Sequence, residues 1–153
     1  MKTLKTSLNK KNFLSLNDLD REEILSILEL SKDLKRDLKN GKSSQLLKGR
    51  TLAMIFQKPS TRTRLSFETG IVQLGGTAIY LSSNDLQLAR GESVEDTART
   101  LSLYVDLIMA RVYSHSDIEK LAAYSSVPVI NGLSDTFHPC QILADLLTIQ
   151  EKK

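Results

Sequence analysis

Residues 56–70 read FQKPSTRTRLSFETG. Ser60, Thr61 and Thr63 contribute three hydroxyls, and Arg62 and Arg64 two guanidiniums, within five consecutive positions. They follow an apolar run, 51–56, and open a stretch of helical periodicity, 61–74. Pro59 ends the extended run, and Ser60 is suited to cap the helix behind it. A first helical turn offers unpaired backbone N–H groups and the positive end of the helix dipole. The hydroxyls add directed donors, and the Arg62 guanidinium grips oxygens two at a time. The ligand this describes is a phosphate or phosphate-like dianion, held without a glycine-rich loop. A capped helix whose arginines pair with nearby acids is the plainer alternative. Arg64, four residues before Glu68, fits that role and would brace the site from outside.

Two further places carry chemistry. Arg111 closes the apolar run Leu107-Ile108-Met109-Ala110, and a cation at the rim of a buried strand needs a partner, protein or ligand. In Phe137-His138-Pro139-Cys140-Gln141, Pro139 suits the first helical position and sets His138 just outside the helix. An imidazole N–H there can donate to a carbonyl oxygen and support charge growing on it. The Gln141 amide oxygen can accept from an N–H, so the pair reads a group that has both C=O and NH₂. Cys140 lies between them with no base placed to activate it, and reads as a small packing residue.

These residues need elements to position them. Asp20 and Glu23 have capping-box spacing, and Ile24, Ile27, Leu28, Leu34 and Leu38 then recur at helical intervals up to Asn40-Gly41. Beyond it, short β-rich runs at 51–56, 77–81, 106–111 and 127–130 alternate with helical stretches at 61–74, 93–104, 116–124 and 139–150. That alternation predicts an α/β fold: a parallel sheet of at least four strands with helices on both faces. The divisions read as a helical segment over 1–50, βα units over 51–138 and a closing helix over 139–153. In open parallel sheets ligands gather beyond the carboxyl ends of the strands. All four ends carry donors: 60–64 after the first, Ser82 to Gln87 and on to Arg90 after the second, Arg111 on the third, and 137–141 after the fourth. In the last helix Ile142, Leu143, Leu146, Leu147 and Ile149 span a wide arc, which calls for cover on more than one side.

Composition narrows the function classes. The chain has 153 residues, 41% hydrophobic and 25% charged, as a soluble globular domain does. A net charge of +3 without aromatic-laced basic stripes argues against nucleic acid. No run of about 18 apolar residues suggests a membrane span. The single cysteine fits a reducing compartment, and with two histidines it is poor material for a metal site. The N-terminal Lys/Ser/Thr bias is similar to that of an organellar transit peptide, but Arg is absent there and the expected location is cytoplasmic. Gly41-Lys42-Ser43 imitates the end of a P-loop, yet Arg36 stands where that motif needs Gly, and no G-x-G-x-x-G occurs.

Ser60-Thr61-Arg62-Thr63-Arg64 with Ser66-Phe67-Glu68, together with His138-Pro139-Cys140-Gln141, resembles the carbamoyl phosphate motifs of the carbamoyltransferases. The similarity extends over nearly the whole chain from about Asn12. Phe56-Gln57-Lys58, the loop Gln87-Leu88-Ala89-Arg90-Gly91-Glu92-Ser93 and Ile130-Asn131-Gly132-Leu133 resemble the ornithine branch. The aspartate branch usually has Glu at position 58, Thr at position 140 and a lysine-bearing loop after the second strand. By this resemblance Ser60, Thr61, Arg62 and Thr63 would hold the phosphate of carbamoyl phosphate. Arg111 would bridge phosphate and carbonyl oxygen, His138 would polarise the carbonyl, and Gln141 would bind the carbamoyl NH₂. Thr63, Arg111 and His138 would be the catalytic set. Gln87 would reach a neighbouring subunit's site in a homotrimer. The implied reaction carbamoylates the δ-amine of L-ornithine, giving L-citrulline and phosphate, with no metal or organic cofactor. Family members run to about twice this length, with a second domain that binds the amino acid and carries a His-Cys-Leu-Pro motif. This chain lacks that motif, so it is expected to supply the carbamoyl phosphate-binding half and to be inactive alone. An aspartate-type half, or a non-catalytic module that binds anions or trimerises, is the alternative.

Overall fold

The computed structural model describes residue 8, residues 10–82 and residues 86–153, with the backbone alone at 88 and 89. The donor-rich stretch after the second strand therefore lies partly outside the described residues, at Ser83, Asn84 and Asp85.

Helix α1 (Arg21–Lys39) starts where Asp20 accepts from Glu23 N–H at 2.8 Å and Glu23 accepts from Asp20 N–H at 2.8 Å, a reciprocal capping box. Then come β1 (Thr51–Phe56), α2 (Thr61–Gln73) and β2 (Thr77–Ser82). A short 3-10 helix, Gln87–Arg90, precedes α3 (Val94–Ser102), β3 (Leu107–Arg111), α4 (His115–Tyr124), β4 (Val129–Leu133) and α5 (Pro139–Lys152). The four strands form one parallel sheet in the order β2-β1-β3-β4.

Strand alternation divides the core between the two faces of this sheet. Ala53, Ile55, Ile108, Ala110 and Val129 face one way and meet Ala98 of α3 and Ile118 and Leu121 of α4. Leu52, Met54, Phe56 and Met109 face the other and meet Phe67 and Ile71 of α2. β1 and β3 are covered on both sides, which is why they read as continuous apolar runs. β2, at one edge, alternates exposed with half-buried residues.

The expected element order is the observed one, with shifts at the ends. β4 starts at Val129, not 127, and runs through Asn131-Gly132 to Leu133. A glycine inside the strand hides it from a propensity reading. Packing explains its presence: a Cβ on Gly132 would lie 2.5 Å from Met109 Sδ and 3.2 Å from the Ala110 carbonyl oxygen. Residues before α1 also join the sheet, which the sequence pattern did not suggest. Phe13 N–H donates to the Val129 carbonyl at 2.9 Å, and Asn131 N–H donates to the Phe13 carbonyl at 2.8 Å. α5 packs beside β4 and α1, where Lys35 Nζ meets Glu151 Oε2 at 2.6 Å. Its apolar arc is only partly covered: Pro139 alone is buried, and Ile149 is 52% exposed.

Crowding at Gly132 and open space at Gly70 make opposite expectations. Gly132→Ala should destabilise the chain by about 1–3 kcal/mol through overpacking. Gly70→Ala, within α2 and with nothing near its added methyl, should stabilise it by about 0.5–1 kcal/mol. Urea unfolding of the two variants beside the parent measures both.

Candidate active site at the carboxyl edge of the sheet

Register places the strand ends at one edge. Phe56 is level with Ser82 on one side and Arg111 on the other, and Arg111 is level with Leu133. β1 leads outward to β2, whereas β3 leads outward to β4, so the winding reverses between β1 and β3. Such a switch point leaves a crevice beyond the strand ends.

One wall of the crevice is the start of α2. Ser60, extended at φ −161°, caps the helix by accepting from Thr63 N–H at 3.3 Å. The Ser60 hydroxyl also donates to Thr63 Oγ1 at 3.1 Å. Thr63 is buried, and its hydroxyl accepts from Arg111 Nη1 at 3.4 Å. Ser60, Thr63 and Arg111, which lie up to 51 residues apart, therefore form one hydrogen-bonded line across the β1–β3 junction. Thr61 and Arg62 are exposed on the same turn, and among the described residues the Arg62 guanidinium has no partner. Arg64 faces away, pairing with Glu68 at 3.0 Å and stacking over Tyr80 at 3.9 Å, as its spacing from Glu68 implies. On that outer side of α2, Pro59, Ser60, Thr61, Leu65 and Tyr80 border an open groove of about 720 Å³, which Arg111 and His138 do not line.

The opposite wall is the turn before α5. His138 caps α5 by position without using its ring, and Pro139 follows at the first helical residue. Burial lowers the His138 pKa first, the positive charge of Arg111 lowers it further, and the Asp145 carboxylate opposes both. The Arg111 guanidinium is itself pushed down by burial. Four buried side-chain polar atoms lack a partner among the described residues, and two of them are Arg111 Nε and His138 Nδ1. Leaving such an atom unmatched costs about 1–3 kcal/mol, so both are positioned to gain from a ligand. Gln141 donates from Nε2 to Asp145 Oδ1 at 2.8 Å, which turns its amide oxygen into the free, accepting end. Cys140 is inert as expected: its thiol donates to the Asn131 carbonyl at 3.5 Å, and burial raises its pKa to about 11.

Gln87 is not part of this cluster. It stands exposed on the 3-10 helix beyond β2 and accepts from Arg90 at 3.5 Å.

The supports of the His138 turn escaped sequence reading. Asn131, fully buried in β4, donates from Nδ2 to the Leu14 carbonyl at 2.8 Å and to the Phe137 carbonyl at 3.3 Å. The Ser134 hydroxyl accepts from Phe137 N–H at 3.1 Å and lies 2.9 Å from His115 Nδ1. The signal that could have found Asn131 is a polar residue inside an apolar strand, and it is missed because the fourth run, as read from the sequence, ends at 130. Among the described residues there is no cluster of three or more His, Cys, Asp or Glu that would ligate a metal ion. Likewise, no helix among them is long and apolar enough to cross a membrane.

The electrostatics of His138 can be checked directly. The fold favours its neutral form, so between the lowered value and about 6.5 the unfolded chain binds more protons. Stability contributed by His138 is therefore complete above pH 6.5 and is lost as pH falls through that window. By NMR titration its midpoint should lie below 6.5; Arg111→Ala should raise it part of the way back, and Asp145→Asn should lower it further.

Comparisons with known proteins establish the family. The family described as aspartate/ornithine carbamoyltransferase, carbamoyl-P binding domain, matches residues 11–151. An ornithine carbamoyltransferase of Pyrococcus abyssi is 63% identical over 147 residues, covering 96% of this chain and 46% of the relative. The solved ornithine carbamoyltransferase of Pyrococcus furiosus superposes with a TM-score of 0.92 at 61% identity, over 96% of this chain and 47% of that one. The catalytic subunit of M. Jannaschii aspartate transcarbamoylase superposes with a TM-score of 0.87 at 40% identity, over 94% of this chain and 47% of that one. The chain thus spans about half the length of the relatives it matches. With its parallel sheet, its capped Ser60–Thr63 turn and this coverage, the chain belongs to the aspartate/ornithine carbamoyltransferase family and matches its carbamoyl-P binding domain.

Proposed function

We propose that this chain is the carbamoyl phosphate-binding half of an ornithine carbamoyltransferase and that it is inactive without the other half. The observation that carries the reading is the Ser60–Thr63–Arg111 line at the switch point, with buried Arg111 Nε and His138 Nδ1 left unpaired beside it. Among the solved structures, identity of 61% to an ornithine-type relative, against 40% to an aspartate-type one, supports ornithine as the acceptor.

In this reading Ser60, Thr61, Arg62 and Thr63 hold the phosphate with their hydroxyls, the α2 N–H groups and the exposed Arg62 fork. Arg111 reaches both phosphate and carbonyl oxygen. His138, kept neutral near pH 7, presents its ring to the carbonyl, and the Gln141 amide oxygen accepts from the carbamoyl NH₂. The neutral δ-amine of L-ornithine, held by the second domain, attacks the carbamoyl carbon. Charge moves onto the carbonyl oxygen in a tetrahedral intermediate that Thr63, Arg111 and His138 stabilise. The C–O bond then breaks towards phosphate with help from Arg62, the added nitrogen loses its proton, and L-citrulline and phosphate leave. Positioning and electrostatics supply the catalysis, and this chain's part calls on no metal or organic cofactor. The working assembly is a cytoplasmic homotrimer in which exposed Gln87 reaches a neighbouring subunit's site.

Joining the chain to the C-terminal half of a relative such as the P. abyssi enzyme tests this. Citrulline should form from carbamoyl phosphate and ornithine, and the 153-residue chain alone should form none. In the joined protein Arg111→Ala should lower turnover about a hundredfold or more, the worth of an oxyanion donor. Carbamoyl-aspartate from aspartate, without citrulline from ornithine, would overturn the choice of acceptor.

A further inference from the structure

Gln57 is the first residue beyond β1, and it makes three hydrogen bonds to the β3 exit and α4. Its N–H donates to the Arg111 carbonyl at 2.9 Å. Its Oε1 accepts from Tyr113 N–H at 2.8 Å. Its Nε2 donates to Asp117 Oδ2, in the first turn of α4, at 3.0 Å. The residue is half-buried, and three positions later the chain reaches Ser60.

Backbone pairing holds Arg111 chiefly from the β1 side. On the β4 side the register shifts between Ala110 and Arg111, so the ladder is irregular at the residue that carries the guanidinium. On the β1 side the regular rungs end at Phe56 opposite Arg111, and Pro59 then turns the chain away towards α2. The Gln57 carboxamide takes the place of the next rung. One end accepts as a peptide carbonyl would, and the other donates as a peptide N–H would. Main chain and side chain together grip residues 111 and 113, on either side of Val112, whose own N–H goes to Leu133.

We propose that Gln57 is a positioning residue for the anion site: it holds the β3 exit so that the Arg111 guanidinium meets the Thr63 hydroxyl. The inference rests on the reading of that site given above. The Arg111–Thr63 bond is already long at 3.4 Å, so a small displacement of the β3 exit breaks it. Gln57 lies at the branch between the two halves of the site, one following it in the chain and the other bonded to it across the sheet.

Inorganic phosphate is the probe, titrated at pH 8 into the 153-residue chain and followed through the Thr63 and Arg111 amide resonances. Gln57→Leu removes both side-chain bonds and should raise the Kd about tenfold, the scale of a lost positioning contact. Gln57→Glu combined with Asp117→Asn keeps an acceptor for Tyr113 N–H, lets the new amide donate back to residue 57 and leaves the net charge unchanged, so it should stay within about threefold of the parent. In an Arg111→Ala background Gln57→Leu should change the Kd by less than about twofold, because its effect passes through Arg111. A full tenfold loss in that background, a loss for the Gln57→Glu/Asp117→Asn pair equal to that for Gln57→Leu, or no loss for Gln57→Leu would each overturn the inference. Absence of phosphate binding by the parent chain would instead overturn the anion-site reading, and this inference with it.

Discussion

A guanidinium sits at the last position of a strand whose preceding three residues, Ile108, Met109 and Ala110, are shut away from water. Bringing a cation to such a rim costs solvation, and the protein returns only part of it. Among the described residues, the Arg111 side chain has one long bond to Thr63 and a buried Nε with no partner. An acceptor placed between Arg111, Thr63 and the α2 N-terminus lowers that cost. Burial, and after it the same charge, favours the neutral form of His138, so this one cation bears on the protonation of its neighbour as well as favouring an anion beside it.

The sheet makes this arrangement stiff. β1 and β3 are adjacent, parallel and covered on both faces by close-packed side chains, which fixes where the two strands leave the sheet. Thr63 lies in the first turn of α2, the helix after β1, and Arg111 closes β3, where the ladder to β4 is irregular and Gln57 bonds the exit. Both groups are thus carried by packed elements, as a preorganised site requires. Groups that belong to the margin behave differently. Arg62 is exposed and unpaired among the described residues, and Gln87 lies beyond the edge strand.

His138 is held by another means. Its turn hangs from Asn131 and Ser134, which bond to the backbone of residue 137, and Asn131 also ties down the segment before α1. The early residues near Phe13 thereby become part of the scaffold of a site more than 120 positions later in the chain. Buried polar side chains of this kind are costly unless bonded, and here their bonds go to the backbone of the turn that carries His138.

Local chemistry was enough to locate the elements. The capping box at Asp20, the Ser60 cap behind Pro59 and the short apolar runs act over a few residues, and every strand and helix they implied is present within about three positions at its ends. The interruption of an apolar strand by Arg111 was legible for the same reason. What the chain's linear order could not express was adjacency. Strand order, the switch point between β1 and β3, the bulge at Arg111 and the pairing of Phe13 with β4 all depend on which distant segments share a hydrogen-bonded edge. That choice is made by burying both faces of the sheet at once, an energy summed over the whole chain and carried by no single stretch of it.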